Sequence, residues 1–77
     1  MTITLKKEMI GYFSQLLKNK IDRPYVEYYT EYYFLIDEIH EWCIENNMKY
    51  KIICEKDWLK IDILNNKDAM FFKLVWC

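Results

Sequence analysis

Apolar and polar positions alternate in two different rhythms along this chain, and the change falls at Met48. Before it the spacing is helical. Leu5, Met9, Phe13, Leu16 and Leu17 recur on one face, with Ile10 and Tyr12 beside them. From Pro24 onward Tyr25, Tyr29, Tyr32, Ile36, Ile39 and Cys43 are spaced 4, 3, 4, 3, 4, and Tyr28, Leu35 and Trp42 widen the stripe. The pattern predicts one helix over 4–19 and a long second helix from Pro24 to the Asn46-Asn47 pair. Thr4 is the first cap, with Glu8 near its positive end. Asp22 is the second cap, ahead of a proline in the first turn. Asn tolerates the left-handed conformation that ends a helix. Gly11 costs roughly 1 kcal/mol inside a helix and suggests close approach of another element.

After Met48 the period is two. Met48, Tyr50, Ile52 and Cys54 alternate with Lys49, Lys51, Ile53 and Glu55. Trp58, Lys60, Asp62 and Leu64 alternate with Leu59, Ile61 and Ile63. A polar turn, Asn65-Asn66-Lys67-Asp68, leads to Ala69–Cys77, where Met70, Phe72, Leu74 and Trp76 share one face. These runs predict three strands with short connections. The expected architecture is α+β, a single domain over 1–77: two helices packed on a three-stranded antiparallel meander, in the order α-α-β-β-β. The last strand is apolar on both faces, since Phe71 and Val75 share the second face with Lys73. An apolar edge of that kind invites pairing, and a homodimer is expected through this strand or through the tyrosine-rich helix.

Charge sharpens the picture. Residues 1–23 carry five bases and two acids, 24–46 carry six acids and no Lys or Arg, and 47–77 carry six bases and four acids. The net charge of −1 therefore hides a segregated chain. Within the second helix Glu27, Glu31, Glu38, Glu41 and Glu45 fall within about 40° of one line, with Phe34 in the gap and Asp37 beside it. Such a ridge has two readings. One is a solvated face, partly neutralised by strand lysines. The other is an imitation of phosphates: helical rise puts Glu27 and Glu31 about 6 Å apart and Glu31 and Glu38 about 10.5 Å apart. Neighbouring phosphates along a DNA strand lie on the order of 6–7 Å apart. Ordinary surface helices mix signs to gain i,i+4 pairs, so the missing bases favour the second reading. Trp42 and Phe34 are the aromatic anchors near the ridge.

Other chemistry is thinly represented. The chain has one Gly, one Pro, one His and one Ser, leaving no Gly-rich phosphate loop. His40 and Cys43 are one helical step apart, the sole nucleophile–base couple that spacing brings near. Cys43 lies on the apolar stripe, where a buried inert thiol is the simpler reading. His40-x-x-Cys43 also resembles half a zinc site, with Cys54 and Cys77 as distant partners. Ser14 beside Gln15 reads as structural. No enzyme, metal or cofactor is expected. Lys6, Lys7, Lys18, Lys20 and Arg23 offer a basic face for nucleic acid, but they flank the acidic helix, which repels a phosphate backbone. Tyrosines 25, 28, 29, 32 and 33 offer base stacking, with core or protein interface as the simpler alternative. Three cysteines without a C-x-x-C, no signal-peptide pattern and no apolar run of membrane length point to a reducing cytoplasm.

The size, the abundance of Ile, Lys, Asn and Tyr, and the near absence of Gly and Pro resemble early proteins of lytic phages of low-GC Gram-positive bacteria. Within that class the charge layout is most similar to a small sliding-clamp inhibitor of a staphylococcal phage. The resemblance implies a non-catalytic host-takeover protein that occupies the DNA channel of a host replication protein in the host cytoplasm. Its partner-binding residues would be Glu27, Glu31, Phe34, Asp37, Glu38, Glu41, Trp42 and Glu45. Another host protein, of the transcription machinery or a nuclease, is the alternative target. Short clamp-binding peptides carry a Gln, then a Leu, then a terminal apolar pair, and Gln15-Leu16-Leu17-Lys18-Asn19 matches only the start of that pattern.

Overall fold

The long run of tyrosines does not form a helix. In a computed structural model, which describes residues 1–14, 22–56 and 58–77, Tyr25–Tyr28 and Glu31–Leu35 are two strands joined by a two-residue turn. Six strands and two helices follow one another as β1 (Thr2–Thr4), β2 (Ile10–Ser14), β3 (Tyr25–Tyr28), β4 (Glu31–Leu35), α1 (Asp37–Glu45), β5 (Tyr50–Glu55), β6 (Trp58–Ile63) and α2 (Asn66–Trp76). A 3-10 turn, Lys7–Met9, separates β1 from β2. The strands form two three-stranded antiparallel sheets, ordered β1-β6-β5 and β2-β4-β3. The architecture is α+β, but the single meander with two preceding helices is overturned.

Three elements change identity. The expected helix over 4–19 is the end of β1, the 3-10 turn and β2 as far as residue 14; its remainder, the whole Gln15–Asn19 segment, lies outside the described residues, as does Lys20. The expected helix over 24–46 survives only as α1. The expected third strand, Ala69–Cys77, lies in α2, and β1 takes its place beside β6.

Each change has a physical cause. In Tyr25–Leu35 nearly every position is aromatic or β-branched, so a helical stripe and a strand alternation fit equally well. Cross-strand packing then favours the strand: Tyr12 and Tyr33 face each other at 5.8 Å, Tyr25 and Tyr32 meet edge-on at 5.3 Å, and Phe13 and Phe34 lie at 4.9 Å. The turn places Tyr29 at φ 58, a left-handed conformation held without Gly, Asn or Asp. At the other end of the chain, the Asn65 side chain accepts hydrogen bonds from the backbone N–H of Lys67 (2.8 Å) and Asp68 (3.3 Å), which caps α2. Ala69, Phe72 and Trp76 then form its inward face at helical spacing.

The core lies on one face of the β1-β6-β5 sheet. Ile3, Ile52, Ile61, Ile63 and Tyr50 point inward from that sheet and are buried against Leu35, Ile39, Cys43, Met48 and Phe72. Trp42 links the helices, with its ring 5.1 Å from Phe71, 6.0 Å from Phe72 and 5.9 Å from Trp76. Helix α1 ends where the asparagine pair stands. Asn47 is at φ 55, its N–H donates to Ile44 O (3.1 Å), and Met48 N–H donates to Cys43 O (2.8 Å). Both bonds of a Schellman stop are present.

Candidate functional site

Two faces and a helix, rather than one line, carry the acidic residues. Glu27 stands opposite Tyr32 in the register, so it shares that residue's face of the β2-β4-β3 sheet. Glu31 adjoins Tyr32 along β4 and points to the other face. Glu27 and Glu31 are thus on opposite sides of one sheet, and the continuous ridge from 27 to 45 does not exist. Glu31 is tied down as well, accepting from the Tyr33 hydroxyl at 3.0 Å, which pushes the Tyr33 hydroxyl's pKa up.

The four remaining acids, Asp37, Glu38, Glu41 and Glu45, are all exposed on α1. Arg23 grips Asp37 with Nη1 at 2.6 Å and Asp22 with Nε at 3.3 Å, donates to Leu35 O at 3.1 Å, and lies over the Phe34 ring at 5.4 Å. Those two carboxylates hold the guanidinium firmly charged, against the opposing effect of its partial burial, and Arg23 in turn keeps Asp22 below the usual carboxylate range. Arg23 is therefore a structural clamp between the start of the hairpin and the start of α1.

Glu38, Glu41 and Glu45 make no ion pair among the described residues. Spaced i, i+3, i+7, they form one stripe of about 10.5 Å along the helix. Glu38 is favoured in the first turn, but the other end of the stripe costs stability. Glu41 and Glu45 are like charges at i,i+4, worth roughly 0.2–0.5 kcal/mol of repulsion. Glu45 also sits at the negative end of the helix dipole, and α1 has no base in its last turn.

The expected aromatic anchors are placed differently. Trp42 is half-buried in the cluster between α1 and α2, and Phe34 is half-buried against Phe13 and Arg23. The apolar side chain beside the stripe is Ile44, 58% exposed. With Asp22, Arg23, His40, Glu41 and Glu45 it lines a shallow hollow of about 350 Å³. Sequence reasoning misses Ile44 because it falls outside the inward stripe, and that position is the signal that marks it.

His40 does not engage Cys43. Its Nδ1 shares a hydrogen bond with the Tyr50 hydroxyl at 2.7 Å. Burial drives the Tyr50 hydroxyl's pKa far up, so it stays protonated near neutral pH. Burial, with help from Arg23, pushes the His40 pKa down and keeps the ring neutral. Burial alone raises the Cys43 thiol to about 11, so it is protonated near neutral pH. Cys54 is half-buried on β5 and Cys77 is exposed at the end of α2. Among the described residues no three His, Cys, Asp or Glu side chains group as metal ligands, and no helix is long and apolar enough to cross a membrane.

Comparison with protein families, with curated proteins and with solved structures finds no match to this chain or its fold.

Proposed function

We propose that this protein is a non-enzymatic binding module that sets the Glu38, Glu41, Glu45 stripe of α1 against a basic surface of a host protein. One observation carries the reading. A helix shaped only for stability would not place Glu41 and Glu45, neither of them in an ion pair among the described residues, at i,i+4 with the second at its negative end. A surface kept at a stability cost fits a binding role.

The DNA channel of a replication protein is the partner of matching chemistry, with a bacterial sliding clamp as first candidate, as in the phage inhibitors that the sequence resembles. The stripe spans about 10.5 Å, between one and two steps of about 6–7 Å between phosphates, so it imitates a short stretch of one strand. Complementary charge supplies orientation and association rate, and Ile44 supplies an apolar contact beside it. The site is thus the outer face of α1, and Glu27 and Glu31 lie apart from it on the hairpin.

Affinity capture from a Gram-positive lysate, read by mass spectrometry, tests this. Retention of the clamp or another DNA-binding protein, lost when duplex DNA is added, is the expected result. Retention that DNA does not disturb overturns the channel assignment.

The expected dimer moves to α2. Its outward side shows Met70, Phe71, Leu74 and Val75, with Leu74 at 83% exposure. Two copies of this face, packed together, would cover it from water. Sedimentation at tens of micromolar should show a dimer that Leu74→Glu dissociates; a monomer at that concentration rejects it.

A further inference from the structure

We propose that the cleft between the two sheets binds an amphipathic organic anion, a flat or chain-like apolar body carrying one carboxylate. The cleft is about 810 Å³, within the size range of small-molecule sites. One wall is a single face of the β2-β4-β3 sheet. Ile10, Tyr12, Tyr28, Glu31 and Tyr33 share it by register. The opposite wall is Cys54 and Leu59, which continue the inward face of buried Ile52 and Ile61 yet are themselves only half-buried. Trp58, 62% exposed, lines the same cleft from the start of β6. Core-type surface therefore runs out into an open space lined by aromatic rings.

The charges say what fills it. Lys6 and Lys7 line the cleft, are exposed, and make no ion pair among the described residues. Among the described residues of the lining the acid is Glu31, which already accepts from Tyr33 and repels a second carboxylate, so an anionic head is directed to the lysines. Phosphate-rich polymers fit poorly, because two lysines facing one glutamate among the described lining residues leave little net attraction for many phosphates. A single carboxylate on an apolar body matches both the walls and the balance of charge.

The test is titration of the whole ¹⁵N-labelled protein with decanoate, 2-naphthoate and 1-decanol, followed by amide and indole shifts. Either anion should saturate a site that moves Lys6, Lys7, Leu59 and the Trp58 indole, and the tighter of the two identifies the body. Decanoate should bind about two- to fivefold tighter than decanol at low salt, the range that exposed ion pairs supply. The Lys6→Gln/Lys7→Gln double variant should remove that advantage while leaving decanol unchanged. Equal binding of decanoate and decanol overturns the proposal. So do an unaffected double variant, shifts confined to Met70 and Leu74, or no saturation.

Discussion

Single residues hold this fold together in ways that make sharp demands on substitution. Gly11 lies opposite Phe34 in the sheet, and a β-carbon there would come within 2.8 Å of the Phe34 ring. Gly11→Ala should therefore cost about 1–3 kcal/mol through overpacking, measurable by chemical denaturation, and Phe34→Leu in the same chain should recover part of the loss. The glycine is legible in the sequence as a sign of close approach, but the approaching group comes from a strand that the helical spacing conceals. Trp76 shows the opposite condition. Its indole N–H is buried without an acceptor among the described residues, so Trp76→Phe should leave stability within about 1 kcal/mol of the parent, because the lost packing is offset by removing an unsatisfied donor.

Buried titratable groups set the pH range of the fold. His40 is held below its ordinary 6.5 by burial and by Arg23. The unfolded chain then binds the extra proton first, so this contribution is complete above pH 6.5 and is lost as pH falls through the folded value. Cys43, raised from 9.0 to about 11, and Tyr50, raised from 10.0, act the other way. Their contributions are complete below about pH 9 and are lost as pH rises through the folded values. Denaturation midpoints should therefore form a plateau between about pH 6.5 and 9, and Cys43→Ala should move the onset of alkaline loss from near 9 to near 10.

At the scale of elements, legibility depends on how many signals agree. The β5–β6 hairpin is readable because its alternation is clean and the intervening turn polar. The end of α1 is readable from Asn46-Asn47. The β3–β4 hairpin is not, because the turn at Tyr29-Thr30 lacks every usual turn residue and the flanking tyrosines satisfy two periods at once. Helix α2 escapes the sequence reading because Asn65 serves as a cap as readily as a turn residue, and an apolar run of this length does not declare its period. Asn65→Ala should lower stability by about 1 kcal/mol. Helix α1 carries the more instructive test. Glu45→Lys exchanges a repulsive pair for an attraction to Glu41 and puts a cation at the negative helix end, so it should raise the Tm by a few degrees. If the stripe is kept for binding, the same change weakens partner capture. A variant that is more stable and binds equally well would show that the stripe is only solvated surface.

The whole molecule redistributes what looks, in sequence, like one acidic helix. Segregation of charge along the chain follows from the order of residues, and the four acids of Asp37–Glu45 do share an exposed helix. The geometry of the ridge is beyond the reach of spacing, because it depends on a helix that the tyrosine hairpin replaces. The folding of β4 directly into α1, clamped by Arg23 on Asp22 and Asp37, leaves Glu38, Glu41 and Glu45 exposed and without an ion pair among the described residues. Among the described residues, the apolar face of α2 and the cleft between the sheets are further exposed surfaces. The central claim concerns the stripe, and one measurement addresses it most directly: affinity for a purified Gram-positive sliding clamp, at low and physiological ionic strength, for the parent chain and for Glu38→Lys/Glu41→Lys/Glu45→Lys. Binding of the parent that weakens as salt rises, with binding abolished in a charge-reversed variant that keeps its circular dichroism, is the expected result. Clamp binding of equal strength in the folded triple variant, or parent binding indifferent to salt, would contradict it.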